Sequence, residues 1–193
     1  MVQAQRQARL PDLRGDIGQI LVTEEDLRAK VRELGALVSA DYVGRSVTLV
    51  SVLKGSLPFM ADLMRAIDVP VQIDLMEVSS YGGASTETSG LVRILKDLSS
   101  SIAGKDVLIV EDIIDTGLTL NYLLRYLRGK NPSTLKICAL LDKPARRLVE
   151  IPIDYRGFTI PDEFVVGYGL DFGEYYRNLP FIGVLRRELY EIP

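Results

Sequence analysis

Apolar and polar positions along this chain follow two periods. Leu27, Val31, Leu34, Leu37 and Val38 fall on one face of a helix. Thr23, followed by Glu24, Glu25 and Asp26, supplies a capped acidic start, so the helix is predicted from there to about Tyr42. Residues 46–53 are a short apolar run rich in valine, a buried strand, with Lys54-Gly55-Ser56 as its exit turn. Pro58 suits the first turn of a helix over residues 59–67. A second strand is predicted over residues 71–79 and a third over 91–98. Residues 107–110 form a central strand, and Leu120, Leu123, Leu124 and Leu127 mark the next helix. Residues 135–141 and 164–166 read as later strands.

Three stretches break this pattern. Residues 1–16 are polar and read as a flexible arm. Residues 81–90 are small, polar and glycine-rich between two strand-like runs, the composition of a mobile flap. Residues 146–161 carry two prolines and little periodicity, consistent with a small lobe over the sheet edge. Strand–helix alternation elsewhere predicts an α/β fold with a doubly wound parallel sheet. With 193 residues and no linker or repeat, a single domain over 1–193 is the simplest organisation.

Composition narrows the chemistry. The 47% hydrophobic and 25% charged residues fit a soluble globular chain. A net charge of −3 with no basic run argues against nucleic acid as the main partner, and no apolar run is long enough to span a membrane. The only cysteine, Cys138, lies in the apolar run 135–141 and reads as core. No internal disulfide can form, which fits a reducing, cytoplasmic setting, and no signal-peptide pattern is visible. Histidine is absent, which removes histidine bases, triads and most zinc sites. Acid–base work would fall to Asp, Glu, Lys or Tyr.

The most informative run is Val107-Leu-Ile-Val-Glu-Asp-Ile-Ile-Asp-Thr-Gly-Leu-Thr-Leu120. A strand ends in Glu111 and Asp112. Asp115 opens a loop with Thr116, Gly117 and Thr119, and a helix follows. Ligands bind at such strand ends in open α/β sheets, and a helix N-terminus favours a phosphate.

This run resembles the phosphoribosyl pyrophosphate (PRPP) motif of type I phosphoribosyltransferases, in the wording of the hypoxanthine-guanine branch. Other segments resemble the same branch in the same order. Val52-Leu-Lys-Gly55 looks like its pyrophosphate loop, and Ser79-Ser-Tyr81 with the flap like its catalytic loop. Leu140-Leu-Asp-Lys143 looks like its purine-contact strand. Residues 160–171 and Glu174-Tyr-Tyr-Arg177 look like its base and pyrophosphate segment. The resemblance runs from about Thr23 to Tyr190.

It implies the type I phosphoribosyltransferase fold, with a small hood and a mobile flap containing Ser80 and Tyr81. It implies a purine salvage enzyme that displaces pyrophosphate from PRPP with hypoxanthine or guanine, giving IMP or GMP. Glu111 and Asp112 would hold the ribose hydroxyls, directly or through Mg²⁺. Asp115 would serve the N7 proton as the catalytic group. Thr116, Gly117, Leu118 and Thr119 would cradle the 5′-phosphate. Lys54, Gly55 and Arg177 would bind pyrophosphate, with Asp171 on Mg²⁺. Lys143 would donate to the purine O6, Phe164 would stack on the base and Val165 would offer backbone groups. Leu118 stands where some relatives carry lysine, which removes a cationic contact but leaves the amide cradle. Homodimers or homotetramers are the assemblies the resemblance suggests. Taken singly, Lys54 and Lys143 also read as surface lysines, Phe164 as core, and Asp171 with Arg177 as an ordinary ion pair. The alternative function is a regulator of the same fold that binds nucleotide or PRPP without turnover.

Overall fold

The computed structural model describes residues 11–80 and 92–190. In chain order the elements are β1 (Ile17–Val22), α1 (Glu24–Asp41), β2 (Val47–Leu53), α2 (Leu57–Ala66), β3 (Val71–Ser80), β4 (Val92–Lys96), β5 (Asp106–Ile114), α3 (Leu118–Arg128), β6 (Thr134–Asp142), β7 (Tyr155–Thr159), β8 (Val165–Val166) and β9 (Ile182–Leu185). A six-stranded sheet has the order β4-β3-β2-β5-β6-β7. All of its pairings are parallel except that of β4, which runs antiparallel to β3 at one edge. The segment joining β3 to β4, where the flap was expected, lies outside the described residues apart from Ser80, the last residue of β3.

The strands alternate their side chains between two cores, as the period of two requires. In β5, Leu108 and Val110 pack with α1 and α2, whereas Val107 and Ile109 pack with α3. In β6, Cys138 and Leu140 face the first core, Ile137 and Ala139 the second. Helices therefore cover both faces, and the sheet is doubly wound. Burial of Cys138 pushes its thiol pKa up, so it behaves as a core side chain.

Helix α1 starts at a complete capping box between Thr23 and Asp26, a feature that typically stabilises a helix by about 1 kcal/mol. Leu27, Val31, Leu34 and Val38 are buried as predicted. Leu37 is instead 49% exposed, because it lies about 100° around the helix from Val38. Gly35 lets α2 approach: a Cβ there would collide with the backbone of Ala66.

Three strands depart from the expectation. β7, in the stretch expected as a loose lobe, is the outer strand of the main sheet, paired with β6. Its Tyr-Arg-Gly-Phe-Thr sequence lacks a clean alternation, and Gly157 is there for packing, since a Cβ would strike the backbone of Leu140. β1 and β9 come from opposite ends of the chain and pair antiparallel, with β8 on the far side of β9. This three-stranded sheet is the hood. Asp16, expected in a loose arm, is buried and accepts a hydrogen bond from Tyr176 at 2.8 Å.

Candidate active site

The carboxyl ends of β2, β5 and β6 lie side by side, and their exit turns form one crevice. β5 continues to Ile114, beyond the apolar run that ends at Val110, because β6 continues beside it: Ile113 pairs with Leu141 and Ile114 with Asp142. Glu111 and Asp112 are thus within the strand. The pleat sends them to opposite faces. Glu111 lines a cleft of about 230 Å³ with Val52, Asp115, Thr116, Gly117 and Thr119. Asp112 turns the other way, against Gly55, where any Cβ would collide with its carboxylate.

Neither carboxylate forms an ion pair with a cation among the described residues. Burial, and then the neighbouring Asp112, hold the Glu111 pKa well above the usual carboxylate range. Burial raises that of Asp112 to about 6, against the lowering effect of the Ile113 amide and Arg177. Asp97, beneath α3, shows the opposite design. It accepts from Tyr126 at 2.5 Å and Lys130 at 2.7 Å, and these bonds outweigh its desolvation and lower its pKa.

The turn into α3 is shaped for an anion. Gly117 is the N-cap, with φ +82° and no side-chain cap. A Cβ there would lie 2.8 Å from the Val149 carbonyl, so glycine is needed for both conformation and space. Leu118 N makes only a long bond, 3.4 Å, to Thr116 Oγ1. The helix N-terminus faces the cleft bearing Thr116 and Thr119. Asp115 has one carboxylate oxygen buried without a hydrogen bond, 3.3 Å from Arg146 Nε but poorly aligned with it.

Lys143 is not a surface lysine. It is 6% exposed, donates to the Glu163 carbonyl at 2.9 Å and pairs with Asp162 at 2.9 Å. That ties it to the chain just before Phe164. Phe164 is 36% exposed, stacked on Tyr190 with centroids 4.8 Å apart and edge-on to Phe172 at 5.7 Å. Val165 is buried in β8.

The turn after β2 has a cis Leu53–Lys54 peptide. Lys54 Nζ reaches Glu174 at 2.9 Å. Gly55 is enclosed on its other side by Gly169, whose Cβ would strike the Gly55 carbonyl. Arg177 donates to the Gly169 carbonyl at 2.8 Å and pairs with Asp171 at 2.9 Å and Glu174 at 3.3 Å. Its Nε is buried and unpartnered. Asp171 and Arg177 therefore do form an ion pair, but one that sits beside the Gly55 turn and within electrostatic reach of Asp112.

Tyr81 lies outside the described residues. Among the described residues no three His, Cys, Asp or Glu side chains gather closely enough to cage a metal. A larger cleft, about 580 Å³, opens between α1, α2 and Tyr168, but it holds neither the α3 turn nor the acids of β5. Sequence reading missed Arg146 and Arg147, which approach Asp115 from behind. The only signal was the Pro-Ala-Arg-Arg turn directly after Lys143, in a stretch without periodicity.

Comparison with known proteins agrees with this geometry. Residues 20–173 match the model of the phosphoribosyl transferase domain. The chain is 51% identical to the hypoxanthine-guanine phosphoribosyltransferase of Bacillus subtilis (strain 168), covering 93% of this chain and 99% of the relative. It is equally similar to the bifunctional protein TilS/HprT of Listeria monocytogenes, of whose length it spans only 27%. A crystal structure of a hypoxanthine phosphoribosyltransferase from Staphylococcus aureus superimposes with a TM-score of 0.88 at 51% identity, covering 92% of this chain and 96% of that one. No helix among the described residues is long and apolar enough to cross a membrane. Strand order, the acid-ended strand with its Thr-Gly turn, and these matches lead to one conclusion: the chain belongs to the phosphoribosyl transferase family.

Proposed function

We propose that this chain is a purine salvage enzyme, acting as one domain, that transfers the 5-phosphoribosyl group of PRPP to hypoxanthine or guanine and releases pyrophosphate. The observation that carries the reading is a division of labour around one crevice. A capless helix start with Thr116 and Thr119 lies on one side, the Lys54-Gly55 turn with Arg177 on the other, and the β5 acids between them. PRPP has a 5′-phosphate at one end, a pyrophosphate on C1 at the other and a ribose diol between. The amides and hydroxyls of residues 116–119 suit the 5′-phosphate. Lys54, the Gly55 backbone and the guanidinium of Arg177 suit pyrophosphate. Glu111 and Asp112, on opposite faces of β5, flank the space for the ribose and accept from its hydroxyls.

Lys143 has three N–H donors and uses two, on the Glu163 carbonyl and Asp162. The third would donate to a purine O6, and the face of Phe164 not stacked on Tyr190 would stack on the base. Asp115, whose Oδ1 is paired with Arg146 but accepts no hydrogen bond, is the group for the N7 proton. Val165 would lend backbone groups to the base.

Mg²⁺ fits this donor set as an ion carried with substrate. Among the described residues the site has a few carboxylates but no protein-only cage, and magnesium is commonly held by one or two carboxylates plus phosphate oxygens. Asp171, with Asp112 and Glu111, supplies those carboxylates. The ion would offset phosphate charge in a protein that is itself net negative.

The test is incubation with PRPP, Mg²⁺ and hypoxanthine, followed by chromatography for IMP and pyrophosphate. Stoichiometric IMP and pyrophosphate are expected. Tight PRPP binding without either product would replace the enzyme with a regulator of the same fold. Sedimentation of the same sample would test the homodimer or homotetramer that belongs to this reading.

A further inference from the structure

We infer that Arg147 is a positioning residue: its guanidinium turns the loop after β5 so that the amides of residues 115–117 face the phosphate. The inference rests on the proposed reaction only for what occupies the loop. Arg147 Nε donates to the Asp115 carbonyl at 3.0 Å, and its NH2 donates to the Ile114 carbonyl at 3.2 Å. The next carbonyl, Thr116, accepts from Leu148 N at 2.9 Å and Val149 N at 3.2 Å. Three consecutive carbonyls of the loop therefore point at the segment 147–149. In a trans peptide the N–H points opposite to its carbonyl. The N–H groups of Asp115, Thr116 and Gly117 are thus turned away from that segment, and such a row of amides makes an anion-binding concavity.

Burial and charge both favour a structural fork here. The Arg147 side chain is 11% exposed and pairs with Asp142, itself 6% exposed. The other Asp142 oxygen lies 3.1 Å from Arg156 Nε. The buried cation is thereby neutralised by Asp142, which accepts from the same Nη2 that donates to the Ile114 carbonyl, while Nε holds the Asp115 carbonyl. The Ile114 carbonyl also accepts from Lys143 N at 3.0 Å, so the same clamp fixes the start of the base-contact segment. A planar guanidinium can hold two adjacent carbonyls and a carboxylate at once. A lysine ammonium is a point charge without that geometry.

The experiment compares wild type, Arg147→Lys and Arg147→Ala by calorimetry for IMP, by calorimetry for magnesium pyrophosphate, and by turnover. Arg147→Lys should weaken IMP binding about 10- to 100-fold, the scale for losing one or two charge-assisted hydrogen bonds. Pyrophosphate affinity should stay within about twofold, because the Gly55 turn does not touch the clamp. In Arg147→Ala, added ethylguanidinium should recover part of the IMP affinity and turnover, and ethylammonium should not. IMP affinity in Arg147→Lys equal to wild type overturns the inference. So does an equal loss of IMP and pyrophosphate binding with a fall in Tm, which would mean a general folding role. A wild-type chain that binds IMP but never forms it strikes at the proposed reaction alone, and the IMP comparison still decides the clamp.

Discussion

The two sides of the crevice, proposed here to take the 5′-phosphate and the pyrophosphate, are built in opposite ways. On the α3 side, strand, turn and helix are contiguous over residues 106–128, and only Gly117 departs from ordinary backbone angles. On the Lys54 side, a short turn meets a segment more than a hundred residues away. Gly167, Tyr168, Gly169, Gly173, Glu174 and Tyr176 in that segment all have positive φ. A non-glycine residue in that region costs on the order of 1–3 kcal/mol, so the fold must hold it from outside. Tyr168 donates to Asp62 at 2.7 Å and Tyr176 to the buried Asp16 at 2.8 Å. The first side presents backbone that regular structure already orients. The second presents charged side chains on a strained loop fastened by distant partners. Mutations should therefore act differently on the two sides.

The largest effect is expected where the regular side meets the chemistry. Asp115→Asn keeps the size and removes the proton acceptor. It should lower kcat about 10²- to 10⁴-fold at neutral pH, the usual range for general acid–base catalysis. PRPP affinity should change little, because neighbouring amides and hydroxyls carry the phosphate. Steady-state kinetics with hypoxanthine, plus PRPP titration, check both halves. A loss confined to PRPP binding would move Asp115 from catalysis to sugar-phosphate binding.

Gly117→Ala tests the backbone itself. The substitution meets φ +82° and the Val149 carbonyl at 2.8 Å. It should cost roughly 1–3 kcal/mol, spread between stability and 5′-phosphate binding. Thermal unfolding with and without IMP separates the two, and an unchanged Tm and IMP affinity would show that the turn tolerates a side chain. Lys54→Met is the counterpart on the strained side. Its bridge to Glu174 joins two mostly exposed side chains, so stability should change by less than about 0.5 kcal/mol. The pyrophosphate Kd should nevertheless rise several-fold. If Tm fell while pyrophosphate binding held, Lys54 would be a fastening of the loop and not a ligand.

The same contrast explains what could be read from the chain. Residues 107–110 are a continuous apolar run and Leu120, Leu123, Leu124 and Leu127 a helix face, so the start of β5, α3 and the turn between them were legible. α1 was legible from its cap and stripe. β1 and β9 were not, because each is short and finds its partner across the whole chain. β7 was hidden because an edge strand carrying Arg156 and Gly157 has no alternation to detect. In the site, residue types at motif positions were readable, but their partners were not. Nothing in the order of residues says that Lys143 is buried on the Glu163 carbonyl, or that Arg147 grips the loop. The pleat, equally, separates Glu111 and Asp112 onto two faces, which the apolar run before them does not reveal.

The smallest effect concerns the acid between the two sides. Burial holds the Asp112 pKa near 6 in the folded chain, against 3.8 for an ordinary aspartate. The raised value means that the folded state prefers the protonated form. The stabilisation from proton binding is complete below pH 3.8 and is lost as pH rises through about 6. Above that, the ionised carboxylate is a net cost. That difference would correspond to about 3 kcal/mol, but the side chain is partly exposed to the crevice, so solvent screening reduces it to about 1 kcal/mol. Asp112→Asn should therefore raise Tm by a few degrees at pH 8, with the difference shrinking as pH falls toward 4. The Ile113 amide bond at 2.9 Å can persist to the Asn oxygen, so the comparison isolates charge. Ribose hydroxyls and a cation carried with PRPP favour the carboxylate, so PRPP binding near pH 6 should release protons from wild type. Calorimetry in buffers of different ionisation enthalpy measures that release, which should be smaller in Asp112→Asn. Equal proton release in the two proteins, with no gain in Tm at pH 8, would mean that Asp112 is ordinarily solvated and that the burden of the crevice lies on Glu111.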